Sequence, residues 1–319
     1  MHLTSLSPEQ SRILDDVFEI ERLHQSLLQR EDGLDGGYQW KRVGGEEYLT
    51  RFWTDPVTKR KQARSRGRRS PSTEAEYDAF YAARERVAAD RQSLSPRMRD
   101  VARAARAFRL VRASGPIADV FRAFEQVGIW QTCMLLGGWA SHAHANEARV
   151  RLDASPGDVD LLVPDGLVPD VMPSIGAALR DACPDASWHA EDTTIVGPGG
   201  LRIHIHDAAD LLETFIASRP EIDALRSVTV ALDAAPRPGL VVGHDGAPAA
   251  VATLDPTAHA VLKAARAVAL GSDDARDAAL LAIELARLIE PRPSVEASTI
   301  SALDFDNHDQ NRPLGRARS

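Results

Sequence analysis

Two short apolar runs in the middle of this chain restrict its fold more than any other feature. Cys133-Met-Leu-Leu136 leads into Gly137-Gly138, and Val159-Asp-Leu-Leu-Val163 is opened by Asp158 and interrupted by Asp160. Apolar runs this short, bounded by turn-forming residues, suit buried strands better than helices. On a strand, alternate side chains share a face. Asp158 and Asp160 therefore project together, while Val159 and Leu161 enter the opposite packing layer. Trp139 to Asn146 follows the glycines with a helical pattern, so the order is strand, tight turn, helix, next strand, a unit that needs a sheet to complete it.

The rest of the chain supplies helices on both sides of that unit. A length of 319 residues allows two or three domains. Ser7-Pro8-Glu9-Gln10 has the form of a capping box and opens an amphipathic helix over 7–30. Tyr38 to Leu49 reads as a hairpin turning at Gly44-Gly45. Thr73-x-x-Glu76 is expected to cap a second helix to about Ala89, and Ser95-Pro96 to open a third. Ile117, Val120, Phe121 and Phe124 mark a helix ending at Gly128. Val168 to Ala182 reads as a helix despite Pro173. Trp188 to Val196 and Leu201 to His206 read as strands flanking Gly197 to Gly200, and two helices begin near Pro256 and Ser272. The expected fold class is α+β. A mainly helical region occupies 1–112 and contains a basic loop at 59–69. A small mixed-sheet core follows at 113–246, then a helical region at 247–303, and a polar tail at 304–319 with the composition of a disordered segment. The cleft is expected between the core and the C-terminal helices.

Composition narrows the functional classes. No run approaches the ~20 apolar residues that cross a bilayer, and the N-terminus lacks the pattern of a signal peptide. No membrane partner is expected, and the expected compartment is the cytoplasm. Cys133 and Cys183 match no zinc or disulfide spacing. The net charge of −8 is uneven: residues 1–112 hold 22 Lys/Arg against 17 Asp/Glu, and the remainder 16 against 29. Seven of the bases lie between Lys59 and Arg69, a segment able to attract phosphate or nucleic acid. A plain solvated loop is the competing reading, because no aromatic residues are interleaved to stack on bases.

Two carboxylates held on one strand face repel each other unless a cation lies between them. A hard ion such as Mg²⁺ (or Mn²⁺) also keeps phosphate oxygens in its shell, which makes Asp158 and Asp160 a platform for a nucleoside triphosphate. Gly137, followed by Gly138, stands 21 residues upstream of Asp158, at a strand end and a helix start. There, glycines let phosphate approach backbone N–H groups, and the helix dipole favours negative charge.

Leu136-Gly-Gly-Trp-Ala140 with Gly157-Asp-Val-Asp-Leu-Leu-Val163 resembles the DNA polymerase beta-like nucleotidyltransferase superfamily, and within it the aminoglycoside and lincosamide nucleotidyltransferases. The flanks look more like a bacterial nucleotidyltransferase-fold family of unassigned substrate. They are Tyr38-x-Trp-x-x-Val-Gly-Gly, Ser70-Pro71-x-Thr73-Glu74 and Leu254-Asp-Pro-Thr-Ala-His-Ala-Val-Leu-Lys263. The resemblance spans roughly residues 35–285. It implies transfer of a nucleoside monophosphate from a triphosphate to a hydroxyl acceptor with release of pyrophosphate. In that scheme Asp158 and Asp160 hold the metal, Gly137 and Gly138 hold phosphate, and Lys263 reaches the triphosphate or the pyrophosphate.

Two departures from the superfamily pattern stand out. Gly138 replaces a frequent Ser or Thr. The strand expected to bring a third carboxylate reads Leu201-Arg-Ile-His-Ile-His-Asp207, with His204 at the aligned position. His204 as a general base, a single-metal or inactive site, and Asp207 or Glu191 as the third group all remain open. His204 and His206 share a strand face, but the chain beyond them is too short for the barrel of the HxH metal hydrolases. Beside the transferase, two further readings stand: a catalytically degenerate nucleotide-binding or regulatory protein, and a nucleic-acid interaction module.

Overall fold

The computed structural model describes residues 2–31, 33–55, 60–153, 156–184, 186–217 and 222–290. The chain is α+β and divides into two compact units: Asp15–Ala104 forms one, and Met1–Leu14 with the residues from Ala105 onward forms the other.

After β1 (Leu3–Ser5), helix α1 (Pro8–Glu31) begins at the capping box. Ser7 Oγ accepts from Gln10 N at 3.2 Å, and the Gln10 side chain accepts from Ser7 N at 3.0 Å. Strands β2 (Gly37–Val43) and β3 (Glu46–Thr54) form the expected hairpin, with Gly44 and Gly45 at φ 59° and 86°. A left-handed pair of this kind matches strand twist and admits glycine without strain. The basic segment is not a loop. Most of it is β4 (Lys61–Arg68), antiparallel to β3 in a three-stranded sheet, whereas Lys59 lies outside the described residues. Its sequence, KQARSRGR, has no apolar alternation, so its strand character comes from pairing with β3. Three of its arginine charges are already engaged: Arg66 by Glu76, Arg68 by Glu46, and Arg69, just past the strand, by Glu47 and Glu74.

Helix α2 (Pro71–Ala107) is continuous where a break was expected at Ser95-Pro96. It also starts earlier than expected, with Ser70 Oγ accepting from Thr73 N and Thr73 Oγ1 accepting from Ser70 N. A proline inside a helix costs about 3 kcal/mol through its missing N–H and its ring clash. Here Val87, Leu94, Met98 and Val101 pack with Ile20, Leu23 and Leu27, and that burial outweighs the break. The three-stranded sheet packs on the same helix through Tyr38 on Phe80, ring centroids 5.0 Å apart, and Trp40 on Tyr77 at 6.0 Å.

The other unit is built on a seven-stranded mixed sheet. Its elements in chain order are α3 (Gly115–Gln126), β5 (Met134–Leu135), α4 (Gly137–Glu147), β6 (Val150–Leu152), β7 (Val159–Val163), α5 (Val168–Ala182), β8 (His189–Glu191), β9 (Thr194–Val196), β10 (Arg202–Asp207), α6 (Ala208–Ala217), α7 (Ile222–Leu232), β11 (Arg237–Val242), β12 (Pro248–Thr253), α8 (Pro256–Leu270) and α9 (Asp273–Ile289). The strand order is β11-β12-β5-β7-β10-β9-β8, and β1 pairs separately with β6. Residues 248–253 are thus a strand of this sheet, although the chain from 247 was expected to be helical. Short Ala and Val side chains in β12 match either periodicity, and pairing with β11 and β5 decides between them. The segment from Trp188 to Val196 is itself a hairpin, β8–β9, turning at Asp192 (φ 49°). The region from 291 and the expected tail at 304–319 lie outside the described residues.

Each sheet face is covered by helices. Val159, Leu161 and Val163 of β7 and Ile203 and Ile205 of β10 pack with Phe121, Phe124, Ile175 and Leu179 of α3 and α5. Leu162, on the opposite face, packs with Phe215, Val228, Ala258 and Val261 of α6, α7 and α8. Asp158 and Asp160 belong to that second face. Ser272 caps α9, its Oγ accepting from Ala275 N at 3.3 Å. Ser272→Ala is expected to cost about 1 kcal/mol, read as a lower urea midpoint with an unchanged slope. No helix among the described residues is long and apolar enough to cross a membrane.

Candidate functional site

Strands β7 and β10 run parallel with His204 opposite Asp160 and His206 opposite Leu162. Residues two apart share a face, so the register brings Asp158, Asp160, His204 and His206 to one side of the sheet. The four side chains form two pairs. His206 Nε2 lies 3.0 Å from Asp160 Oδ1, and His204 Nε2 lies 3.4 Å from Asp158 Oδ2. The second ring nitrogen of His204, Nδ1, is 3.1 Å from Thr194 Oγ1 on β9. Asp158 is exposed and Asp160 half-buried. Burial works against ionisation of Asp160, but the hydrogen bond from His206 and the charges of His206, Arg266 and His204 outweigh it together. Its pKa is held below the ordinary carboxylate value.

Gly137 joins this cluster by close approach. It sits at the start of α4 with φ 68°, and a Cβ there would lie 2.2 Å from Asp160 Oδ2. Only glycine lets the backbone turn so tightly against the carboxylate. Leu136 N, one residue earlier, donates to Asp160 O at 2.8 Å and ties β5 to β7. Gly138 is similarly constrained, since a Cβ on it would meet Pro156 Cβ at 2.6 Å. The N-terminus of α4, which has no side-chain cap hydrogen bond, thus lies beside Asp160.

Opposite stand Lys263 and Arg266 on α8. Neither has an ion-pair partner among the described residues. Burial, and then the charge of Arg266, lower the Lys263 pKa, and Asp160 opposes the shift. Two adjoining cavities meet at Gly137, Asp160, Lys263 and Arg266. One, of about 290 Å³, runs past Gly138 to Ser272 and Asp274 at the start of α9. The other, of about 300 Å³, takes in His206 and enters between α6, α7 and α8, where Leu211, Phe215, Val228 and Leu262 form its walls.

Beneath the Gly137 turn lies a buried polar layer. Ser141 Oγ donates to Gly137 O at 3.3 Å or pairs with His259 Nε2 at 3.2 Å, and the ring of His259 is 5.2 Å from that of His144. His144 Nε2 and His259 Nδ1 have no hydrogen-bond partner among the described residues. Burial, reinforced by Arg237 and opposed by Asp255, lowers the His144 pKa to about 4. His259 is lowered well below its usual value by burial and by the neighbouring His144 and Lys263.

Asp160, Gly137, Gly138 and Lys263, read as site residues from the sequence, line this cleft. Asp158 and His204 line neither cavity and stand beside it on the same sheet face, paired with each other. Asp207 and Glu191 do not join them. Asp207 follows Ile203 and Ile205 onto the other face of β10, where it accepts from Ala209 N at 2.8 Å and Gly166 N at 3.1 Å. Glu191 lies on the far edge strand, two strands and roughly 10 Å from His204. His206, Arg266 and Thr194 were not singled out as site residues. The i,i+3 spacing of Lys263 and Arg266 was the signal available for Arg266, whereas Thr194 is placed only by the β9–β10 register.

The carboxylates suit a hard divalent cation, but imidazole in place of a third carboxylate suits Mg²⁺ poorly. No protein-family model, curated protein or solved structure matches this chain.

Proposed function

We propose that the cleft binds a nucleoside triphosphate with a divalent cation and transfers its nucleoside monophosphate to a hydroxyl acceptor. The observation that carries this reading is the packing of the Asp160 carboxylate against the Gly137 turn, with Lys263 and Arg266 facing both across one cleft. A carboxylate beside a phosphate-accepting helix N-terminus repels the ligand unless a cation is bound with it, and a metal-bound triphosphate meets that condition.

The chain's own residues divide the work. The α4 N–H groups receive phosphate oxygens, and Lys263 and Arg266 offset charge on the β- and γ-phosphates as it builds toward the leaving pyrophosphate. Asp158 and Asp160 hold the cation, which neutralises phosphate charge when bound. The acceptor hydroxyl attacks the α-phosphorus in line, the α–β bridge breaks, pyrophosphate leaves, and the hydroxyl proton leaves to water. The apolar arm between α6, α7 and α8 receives the acceptor. With Lys263 and Arg266 at its mouth, it favours an apolar, uncharged body and disfavours a polycation such as an aminoglycoside.

Calorimetry with a non-hydrolysable triphosphate and a divalent cation tests this. Asp158→Asn with Asp160→Asn should weaken binding about tenfold or more, from the loss of charge-assisted contacts, with a modest fall in melting temperature, because the Asp160 contacts with His206 and Arg266 are weakened as well. Unchanged affinity of a protein that remains folded would count against the reading. The replacement of the third carboxylate by His204 favours a second reading, a nucleotide-binding regulator. Stoichiometric triphosphate binding without pyrophosphate release in any acceptor mixture would select it.

A further inference from the structure

The two imidazoles of β10 are held differently. His206 Nε2 and Asp160 Oδ1, 3.0 Å apart, make an ordinary hydrogen bond in which Nε2–H donates. At His204 the hydroxyl of Thr194 lies 3.1 Å from Nδ1. We assign Thr194 Oγ1 as the acceptor of Nδ1–H, the tautomer in which Nε2 keeps a lone pair. That lone pair faces Asp158 Oδ2, another lone-pair atom, at 3.4 Å. The gap is longer than the ~2.7–2.9 Å of a charge-assisted bond. It is about the edge length between two ligands of a tetrahedral ion with bonds of about 2.0–2.1 Å. The Asp158 and His204 side chains are 46% and 30% exposed, so a cation and substrate oxygens reach them from solvent.

Resting on the function proposed above, we infer that the cation of this site is a borderline divalent transition metal of the Mn²⁺, Co²⁺ or Zn²⁺ class. His204 joins Asp158 and Asp160, already assigned to it above, as a ligand, and Thr194 positions the imidazole. Mixed oxygen and nitrogen ligation suits these ions, whereas Mg²⁺ selects oxygen. Thr194 is to His204 what the hydrogen-bonded neighbour is to most metal-binding histidines, fixing tautomer and ring orientation.

The test uses metal alone, without nucleotide. Co²⁺, Mn²⁺ and Mg²⁺ are titrated calorimetrically into the full-length protein, and Co²⁺ binding is followed by its visible absorption. Wild type should bind Co²⁺ and Mn²⁺ at least tenfold more tightly than Mg²⁺. His204→Ala should remove most of that preference and change the Co²⁺ spectrum while leaving weak Mg²⁺ binding as it was. Thr194→Val should weaken Co²⁺ about tenfold, and His204→Asp should shift the preference toward Mg²⁺. Co²⁺ affinity and spectrum unchanged in both His204 variants would overturn the inference, as would Mg²⁺ binding as tight as Mn²⁺ in wild type. Failure of the two proposals is separable. Mg²⁺-supported triphosphate binding indifferent to His204 defeats the metal assignment alone, whereas His204-dependent metal binding without triphosphate binding defeats the transferase reading alone.

Discussion

Replacing Gly137 by alanine should abolish triphosphate binding and lower the stability of the fold together. The φ of 68° alone costs a non-glycine residue about 1–2 kcal/mol. The larger effect is steric, because the new methyl would lie 2.2 Å from Asp160 Oδ2 and one of the two must move. Moving the carboxylate breaks its 3.0 Å contact with His206, and moving the turn shifts the N–H groups of α4 away from the cleft. Gly157→Ala is the matched control, since nothing lies within 4 Å of a Cβ there. Urea unfolding and calorimetry on both variants check the result. A Gly137→Ala protein with wild-type triphosphate affinity would remove the central support for the proposed function.

The second large effect is a loss of stability on mild acidification. The folded-state pKa of His144, about 4, lies below its ordinary value of 6.5. The folded protein therefore binds this proton less readily than the unfolded chain does. The stabilisation that follows is complete above about pH 6.5 and is lost as pH falls toward 4. A tenfold difference in proton affinity between the folded and unfolded chain is worth about 1.4 kcal/mol, so the loss across this pH range amounts to about 3 kcal/mol. His259 acts in the same direction. The Asp160 carboxylate, lowered rather than raised, is lost from the balance only below the ordinary carboxylate range, which separates the two effects. Urea midpoints measured from about pH 7.5 to about pH 4.5 should fall steeply in wild type and less steeply in His144→Leu, in which His259 alone remains of the buried pair. An equal fall in both would show that His144 is not the group responsible.

What was legible in the sequence was mostly what local chemistry decides. The Ser7 capping box, the Gly44-Gly45 hairpin, the strand Val159–Val163 and the helix Val168–Ala182 all carry their own signals within a few residues. The shared face of Asp158 and Asp160 follows from strand periodicity alone. Features decided by distant partners were not legible. β4 has no apolar pattern and owes its state to β3, β12 owes its state to β5 and β11, and α2 runs through Pro96 because residues of α1 bury its far turns. In the cleft, the neighbours of each histidine follow from the parallel register of β7 and β10, which no stretch of either strand encodes by itself.

Asp207 has a consequence outside chemistry. One residue beyond His206, its carboxylate accepts from Ala209 N at the start of α6 and from Gly166 N ahead of α5. A single side chain thus sets where the strand bearing the imidazoles stops and where the helix walling the apolar arm begins. Inheritance of the two parts is therefore joined. A lineage that shifts α6 to admit a different molecule also displaces β10, and one that replaces the imidazoles does so at a strand end that holds the wall. Diversification at this site should come by exchanging side chains such as Leu211 and Phe215 on a fixed helix, rather than by moving the helix.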